Sequence, residues 1–93
     1  MANNLVVSYD LHKPEQNYDA VQDRIKSLGA WARVQRSVWY VKSAVSASDA
    51  VTHIWAAMDA NDSLIVFDLA NNTAAWMNLD PQVSQFLQQQ WFA

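Results

Sequence analysis

The side chains able to do chemistry in this 93-residue chain are few, and their spacing excludes several kinds of site. The absence of Cys removes thiol nucleophiles and cysteine-based metal sites. A single Gly cannot build a glycine-rich loop around a phosphate group. The two histidines, His12 and His53, do not have the spacing of zinc ligands. The polar stretch 59–62 lacks the glycine and the closing Glu of a calcium-binding loop, so it predicts a helix end and a turn.

Three polar residues remain as candidates for catalysis: Asp10, His12 and Ser37. A histidine side chain acts as a general base near neutral pH, although an exposed loop histidine is the commoner case. Neither Ser37 nor Ser8 has a nucleophile motif around it, so a positioning role or a purely structural role stays open for Ser37. Asp10 follows an apolar segment, where an aspartate often ends a strand by accepting a turn N–H.

Charge and aromatic content bear on nucleic-acid binding. Nine acidic residues against six Lys and Arg give a formal charge of −3, whereas a nucleic-acid binder usually displays a basic patch. Arg33, Arg36 and Lys42 are close together in the sequence and are the candidate nucleic-acid contacts, with a solvated charged edge as the alternative. Aromatic side chains can stack on bases, but packing in a core or a dimer interface is favoured for the four candidates, which are Trp31, Trp39, Tyr40 and Trp76.

The first half of the chain predicts a strand, a helix and a hairpin. Residues 5–11 are short, apolar and β-branched, which indicates a buried strand. Pro14 suits the first turn of a helix, and Gly29 suits a left-handed helix cap. The helix between them has an apolar face formed by Tyr18, Val21, Ile25 and Leu28.

Residues 31–35 and 37–43 predict two strands joined by a tight turn that lacks the usual Asn-Gly signal. In the second of these strands, Trp39 and Val41 share one face, and Val38 and Tyr40 share the other.

The second half repeats the pattern of helix and strand and then extends it. Ser46 begins a sequence that resembles a capping box, with Asp49 in place of Glu or Gln. Residues 63–69 predict a fourth strand, a turn follows at Asn71 and Asn72, and residues 73–79 predict a short fifth strand. Asp80 and Pro81 predict the start of a terminal helix. The apolar faces of the two helices are formed by Val51, Ile54, Trp55 and Met58, and by Val83, Phe86, Leu87 and Trp91.

The order strand, helix, strand, strand, helix, strand predicts an α+β, ferredoxin-like βαββαβ sandwich, with two helices on one face of an antiparallel sheet. The length allows a single domain over residues 1–93, with a core at about 4–69 and a C-terminal strand and helix extension over 70–93. The first and fourth strands are apolar on both faces, so the second face of the sheet needs a cover. The terminal segment, a second subunit or both would supply it. Five Trp in so small a chain fit that expectation.

No apolar run is long enough to span a membrane, and the N-terminus lacks the pattern of a signal peptide. We therefore expect a cytoplasmic protein with no membrane partner.

Four segments, taken in order, resemble the CRISPR-associated endoribonuclease family, the second core Cas protein. They are residues 6–11 (Val-Val-Ser-Tyr-Asp-Leu), 25–29 (Ile-Lys-Ser-Leu-Gly), 34–39 (Val-Gln-Arg-Ser-Val-Trp) and 62–66 (Asp-Ser-Leu-Ile-Val). The resemblance covers about residues 5–69. The chain is also similar to the SinR-family, Cas-two-like bacterial proteins, a likeness that includes Pro14, Trp31 and residues 74–76.

The resemblance implies a ferredoxin-like homodimer in which each subunit contributes an Asp from the end of the first strand. Asp10 occupies that position, and a pair of such carboxylates suits Mg²⁺ or Mn²⁺. The implied activity is metal-dependent cleavage of RNA or DNA phosphodiesters. The predicted topology brings Gln35, Arg36 and Ser37 near Asp10, with Arg36 as a phosphate contact and Ser37 as a positioning hydroxyl.

The chain also departs from the family, because residues 12–16 lack the acidic and arginine residues common there and the chain as a whole is less basic. Two hypotheses follow: a metal-dependent endonuclease, and a non-catalytic dimeric scaffold for a protein or nucleic-acid partner.

Overall fold

The computed structural model describes residues 2–12 and 18–91, with the side chains of Tyr18 and Trp91 outside that description. The prediction for Pro14, and those for the packing of the Tyr18 and Trp91 side chains, lie outside the described residues. The elements follow the predicted order. They are β1 (Asn3–Asp10), α1 (Tyr18–Lys26), β2 (Gly29–Gln35), β3 (Val38–Ser43), α2 (Ala47–Trp55), β4 (Ser63–Asp68), β5 (Thr73–Met77) and α3 (Pro81–Trp91).

The five strands form one antiparallel sheet in the order β2-β3-β1-β4-β5. Strand β1 is central, between β3 and β4. The connection from β1 to β2 contains α1, and the connection from β3 to β4 contains α2. Each of these two connections passes over one intervening strand of the sheet. The described chain is thus a small α+β protein with a five-stranded antiparallel sheet and three helices. This arrangement is compatible with the predicted ferredoxin-like sandwich.

The hydrophobic core lies between one face of the sheet and helices α1 and α2. Trp39 is the largest side chain in it and is only 1% exposed. Its indole N–H donates to the Tyr9 hydroxyl at 3.3 Å, so the polar atom of the buried tryptophan has a partner. Val38 and Tyr40 lie on the opposite face, which confirms the predicted alternation along β3. The other core residues are Leu5, Val7, Val21, Ile25, Val41, Ala47, Ala50, Val51, Ile54, Leu64 and Val66.

The two helix starts that were predicted in the second half are confirmed. The Ser46 hydroxyl accepts the backbone N–H of Asp49 at 3.0 Å at the start of α2. At the start of α3, Asp80 Oδ1 accepts the N–H of Gln82 at 2.8 Å. Each bond satisfies a donor that the first helical turn leaves without an intrahelical partner.

Gly29 does not cap a helix, so that prediction is wrong. Helix α1 ends at Lys26, and Gly29 is the first residue of β2, where it pairs with Ser43. A Cβ atom at this position would collide with the backbone carbonyl oxygen of Lys42. The glycine is needed because two strands approach each other closely, and not because a helix ends there.

The predicted apolar face of α3 is divided in the structure. Leu87 is half-buried, whereas Val83 is 49% exposed and Phe86 is 61% exposed. The helix contacts the sheet through its polar residue Ser84, which accepts the indole N–H of Trp76 at 2.9 Å. Val83 and Phe86, on the predicted apolar side of α3, are thus left largely exposed in a single subunit.

The turn between β2 and β3 is tight, as predicted. Gln35 pairs with Val38, so Arg36 and Ser37 alone form the turn, and a bulge at Val34 precedes it. Neither turn residue has a positive φ, which separates this turn from the primed types that favour Asn-Gly. The Arg33 guanidinium stabilises it by donating to the Arg36 carbonyl oxygen at 3.0 and 3.3 Å.

None of the helices in the described ranges is long and apolar enough to cross a membrane.

Candidate functional site

Asp10 is the last residue of β1 and is exposed. Its position in the strand sets its direction. Leu5, Val7 and Tyr9 turn into the core beneath α1 and α2, so Asp10 lies on the second face of the sheet, which is the face away from those helices. It pairs with Ser63 of β4. A carboxylate is therefore presented on the second face at the end of the central strand.

The β2–β3 turn lies beside this end of β1. The Tyr9 backbone N–H donates to the Ser37 carbonyl oxygen at 3.1 Å, which continues the β1–β3 pairing one residue past Ser8 and Val38. The structure therefore brings the backbone of Ser37 next to that of Tyr9 and Asp10. Gln35 is placed farther away, because it pairs with Val38 on the edge strand.

His12 is positioned by a buried carboxylate. Its backbone N–H donates to Asp62 Oδ1 at 2.8 Å, and the other oxygen of Asp62 accepts the N–H of Asp59 at 2.7 Å. Asp62 is only 5% exposed, so these bonds compensate for the burial of its charge. They tie the end of β1 to the connection between α2 and β4. The His12 side chain is exposed.

Two further polar residues, which the sequence did not single out for structural roles, hold turns at the two ends of β4: Asn78 near the end of β1, and Asp68 at the opposite end of the sheet. Asn78 has a φ of 60°, and its side-chain amide donates to the carbonyl oxygens of Ala60 and Asp62 at 3.1 and 2.8 Å. Asp68 is 1% exposed and accepts three bonds from Ala70 and Asn71. The sequence signal for these two roles is local, because Asp and Asn residues often close turns by hydrogen bonds from their side chains to nearby backbone groups.

The three candidate nucleic-acid contacts do not form one patch. Arg33 pairs with Trp39 in the β2–β3 register and lies on the face that α1 and α2 cover, with its guanidinium carbon 5.4 Å from the Trp39 ring centroid. Arg36 is beside it in the turn. Lys42 lies at the other end of β3 and on the second face, in register with Asn4 and opposite Ala30.

A metal site in a single subunit lacks ligands. Within residues 2–12 and 18–91, no group of three or more His, Cys, Asp or Glu side chains is placed to hold a metal ion. Asp10 supplies one carboxylate, whereas Mg²⁺ in proteins is usually held by one or two carboxylates together with water and substrate oxygens. A single subunit thus offers one carboxylate, that of Asp10, toward such an ion at the end of β1.

A separate polar cluster lies in a groove of about 390 Å³ between α1 and α2, lined by Ala20, Asp23, Arg24, Ser27 and His53. The Ser27 hydroxyl donates to the Arg24 carbonyl oxygen at 2.8 Å, and His53 Nε2 lies 2.8 Å from the same hydroxyl. A hydroxyl has one proton, so Nε2 donates to Ser27 when the Arg24 carbonyl oxygen takes that proton. The contact between Ser27 and His53 joins the end of α1 to α2.

The site is thus the end of β1, where Asp10 is exposed on the second face and the backbone of Ser37 lies beside that of Tyr9, with His12 held nearby through its backbone. Comparison with known proteins adds no assignment: no protein family model matches the chain, and no curated protein or solved structure is significantly similar to it.

Proposed function

We propose that the protein is a homodimeric interaction module with a ferredoxin-like fold, whose two copies join through the second face of the sheet. The observation that supports this proposal is the apolar character of that face. It carries Val6, Val38, Tyr40, Ile65 and Phe67, each of them half-buried in a single subunit. An antiparallel sheet with one face in water usually places polar residues there.

Helix α3 adds to the same surface. Its bond from Trp76 to Ser84 brings it to the second face at the β5 side of the sheet. Val83 and Phe86 on this helix are about half or more exposed. Apolar side chains exposed beside a half-buried apolar face are typical of a surface that binds another protein. A two-fold axis near the central strand β1 would bring the same residues of both copies together, as a closed symmetric dimer requires.

The test is the molar mass in solution and its response to matched variants. We expect light scattering at micromolar concentration to give about twice the 10.5 kDa of one chain. Phe86→Ser and Ile65→Thr should weaken dimerisation tenfold or more, because each removes apolar area from the proposed interface.

Val34→Ser is the matched control, because Val34 is 62% exposed but lies on the edge strand β2. We expect it to leave the dimer unchanged. A mass of one chain at all concentrations, or equal effects of Val34→Ser and Phe86→Ser, would contradict the proposal.

A second candidate function is metal-dependent cleavage of RNA or DNA, and a specific observation favours it. Asp10 is exposed on the same face that the dimer proposal places at the interface, and the turn that contains Arg36 and Ser37 adjoins the end of β1 through the Tyr9–Ser37 backbone bond. A dimer across that face would bring two Asp10 carboxylates together to hold Mg²⁺ or Mn²⁺, which activates water and stabilises charge on a phosphodiester. Arg36 would bind a phosphate group, Ser37 would position it, and His12 would act as a general base.

Cleavage assays of single-stranded RNA and DNA with Mg²⁺ or Mn²⁺ test this second function. We expect Asp10→Asn to abolish cleavage. Asp19→Asn, which makes the same charge change at an exposed residue of α1, should leave it intact. Equal rates for the wild type and Asp10→Asn would show that a contaminating nuclease is responsible. That outcome would leave the dimeric module as the remaining hypothesis.

A further inference from the structure

Strand β2 forms an edge of the sheet, and all seven of its residues are exposed. In the described chain it pairs only with β3, so along its other side the backbone N–H and C=O groups have no strand partner. Residues 29–33 pair regularly with β3, and the bulge at Val34 interrupts the strand only near the turn. The strand contains no proline and no lysine, which are among the residues that proteins place on edges to prevent further pairing.

The hairpin formed by β2 and β3 is basic in an acidic protein. Between residues 29 and 43 the sequence has Arg33, Arg36 and Lys42 and no Asp or Glu, although the formal charge of the whole chain is −3. Lys26, at the end of α1, adds a fourth cation, with its Nζ atom 4.8 Å from the ring centroid of Trp31. The acidic residues are therefore on other elements, and the edge is the positive part of the molecule.

These cations lie on both faces of the sheet. Arg33 and Lys26 are on the side of α1 and α2, and Lys42 is on the second face. On the second face, Ala30 lies between Lys42 and the open edge, and Ala32 lies between Tyr40 and that edge. The short side chains of the two alanines leave Lys42 and Tyr40 within reach of an added strand. Successive side chains of a strand point to opposite faces. Acidic residues at neighbouring positions of an incoming strand would therefore meet cations on both faces.

Trp31 supplies an aromatic anchor at the middle of this edge. It is 46% exposed and lies against the buried Trp39, with ring centroids 5.3 Å apart. Packing on a buried ring holds the exposed ring in place, so a partner that covers Trp31 loses little side-chain entropy at this contact.

From these observations we propose that β2 receives an acidic, extended segment of a partner protein as an additional strand of the sheet. Backbone hydrogen bonds along residues 29–33 provide affinity, and carboxylates facing Arg33, Arg36 and Lys42 provide selectivity. A second copy of β2 is disfavoured as the occupant, because residues 29–43 contain no carboxylate to meet Arg33, Arg36 and Lys42. A nucleic acid is disfavoured because it has no backbone array that matches a strand edge, and because the cations are split between two faces.

The test uses a fluorescein-labelled nine-residue peptide in which pairs of neighbouring glutamates alternate with pairs of valines, so that carboxylates point to both faces of an added strand, and its counterpart with lysine in place of glutamate. We expect fluorescence anisotropy at low salt to show at least tenfold tighter binding of the glutamate peptide, with the preference decreasing as salt screens the charges. Lys42→Gln and Arg36→Gln should each weaken binding about threefold or more. Arg24→Gln is the matched control on α1 and should leave binding unchanged, because it makes the same charge change away from the edge.

A second measurement locates the peptide. Hydrogen exchange should show new protection at the backbone amides of β2, and a glutamate peptide with N-methyl groups on alternate residues of its binding edge should not bind. Equal binding of the lysine peptide or of the N-methylated peptide would overturn the proposal. Protection confined to the second face would do the same.

Two competition experiments address the other occupants. A concentration-dependent increase in mass that the peptide reverses would show that a second copy occupies β2. Displacement of the peptide by single-stranded DNA, with loss of DNA binding in Lys42→Gln and Arg36→Gln, would assign the edge to nucleic acid. Either result would overturn the acidic-strand proposal, and neither depends on whether the second face forms a dimer.

Discussion

Leu5, Val7 and Tyr9 of β1 are at most 3% exposed, whereas Val6, which lies between two of them, is half-buried. The same contrast separates Trp39 from Tyr40 on β3. All these residues lie on two neighbouring strands and differ only in the face to which they point. Helices α1 and α2 cover the first face, whereas among the described elements the second face has only α3, near the β5 side. The first face of the sheet is thus fully packed, whereas the second face is only partly covered.

This contrast shows that apolar content alone does not define a core. Both faces carry large apolar residues, but dense packing requires a second layer about 10 Å away to fill the space between side chains. The first face has that layer within the chain, because each crossover between strands contains a helix. The second face gains such a layer only where another element or molecule covers it. The difference in packing between the two faces should appear in the stability of matched variants.

The largest expected effect is on the first face. Trp39→Ala should lower the free energy of unfolding by about 3–5 kcal/mol, because it removes the largest buried side chain and leaves a cavity. Tyr40→Ala, one position farther along β3 on the second face, should cost less than half as much. Urea denaturation of both variants, followed by tryptophan fluorescence and circular dichroism, measures the difference. Equal losses would show that the second face is packed as tightly as the first.

A smaller but better matched comparison uses two valines of β1. Val7→Ala should cost about 2 kcal/mol of unfolding free energy, since Val7 is fully buried and its methyl groups contact the core. Val6→Ala makes the same chemical change on the other face and should cost about 1 kcal/mol or less in a monomer. If the dimer forms as proposed, Val6→Ala should also raise the dimer dissociation constant, while Val7→Ala should not. Denaturation and light scattering together separate these two results.

The carboxylates near the end of β1 provide a third comparison. Asp62→Ala should lower the free energy of unfolding by about 1–3 kcal/mol, because the N–H groups of His12 and Asp59 lose their acceptor in a buried place. Asp10→Ala should change stability by about 0.5 kcal/mol or less, since Asp10 is exposed. Thermal unfolding of the two variants measures this. A large loss of stability in Asp10→Ala would identify Asp10 as a structural residue and remove it as a candidate metal ligand.

The smallest expected effect is at the bond that holds α3. Ser84→Ala should cost about 1 kcal/mol, because the Trp76 indole loses its acceptor at a half-exposed position. Hydrogen exchange should show faster opening of α3 while the rates of β1 and β4 stay unchanged. Uniformly faster exchange in all elements would mean that α3 unfolds together with the core.

The order of the elements was predictable from the sequence because it depends on local patterns. Apolar alternation identified the strands, and Ser46 and Asp80 marked helix starts through bonds that span only two or three residues. Strand ends were less certain: β2 begins two residues before the predicted start, because Gly29 and Ala30 pair with β3 although neither is a strong strand former.

The candidate site was predictable only in part. Placing Ser37 next to the end of β1 required the strand order, and the Tyr9–Ser37 bond agrees with the predicted topology. The separation of Lys42 from Arg33 was not predicted, because proximity in sequence does not say which face of a sheet each side chain takes. Nor were the bonds from Asp62 to His12 and from Asn78 to Asp62 predictable, since they join residues 50 and 16 positions apart.

The sequence by itself determined which residues form strands and helices, and that apolar side chains lie on both faces of the sheet. These properties follow from short-range periodicity and from capping. Only the tertiary structure decided that Gly29 serves a close strand contact, that Arg33 holds the β2–β3 turn, and that the cations of the hairpin lie on two faces. Each of these depends on strand register and on atoms brought together from distant positions, which no local pattern in the chain encodes.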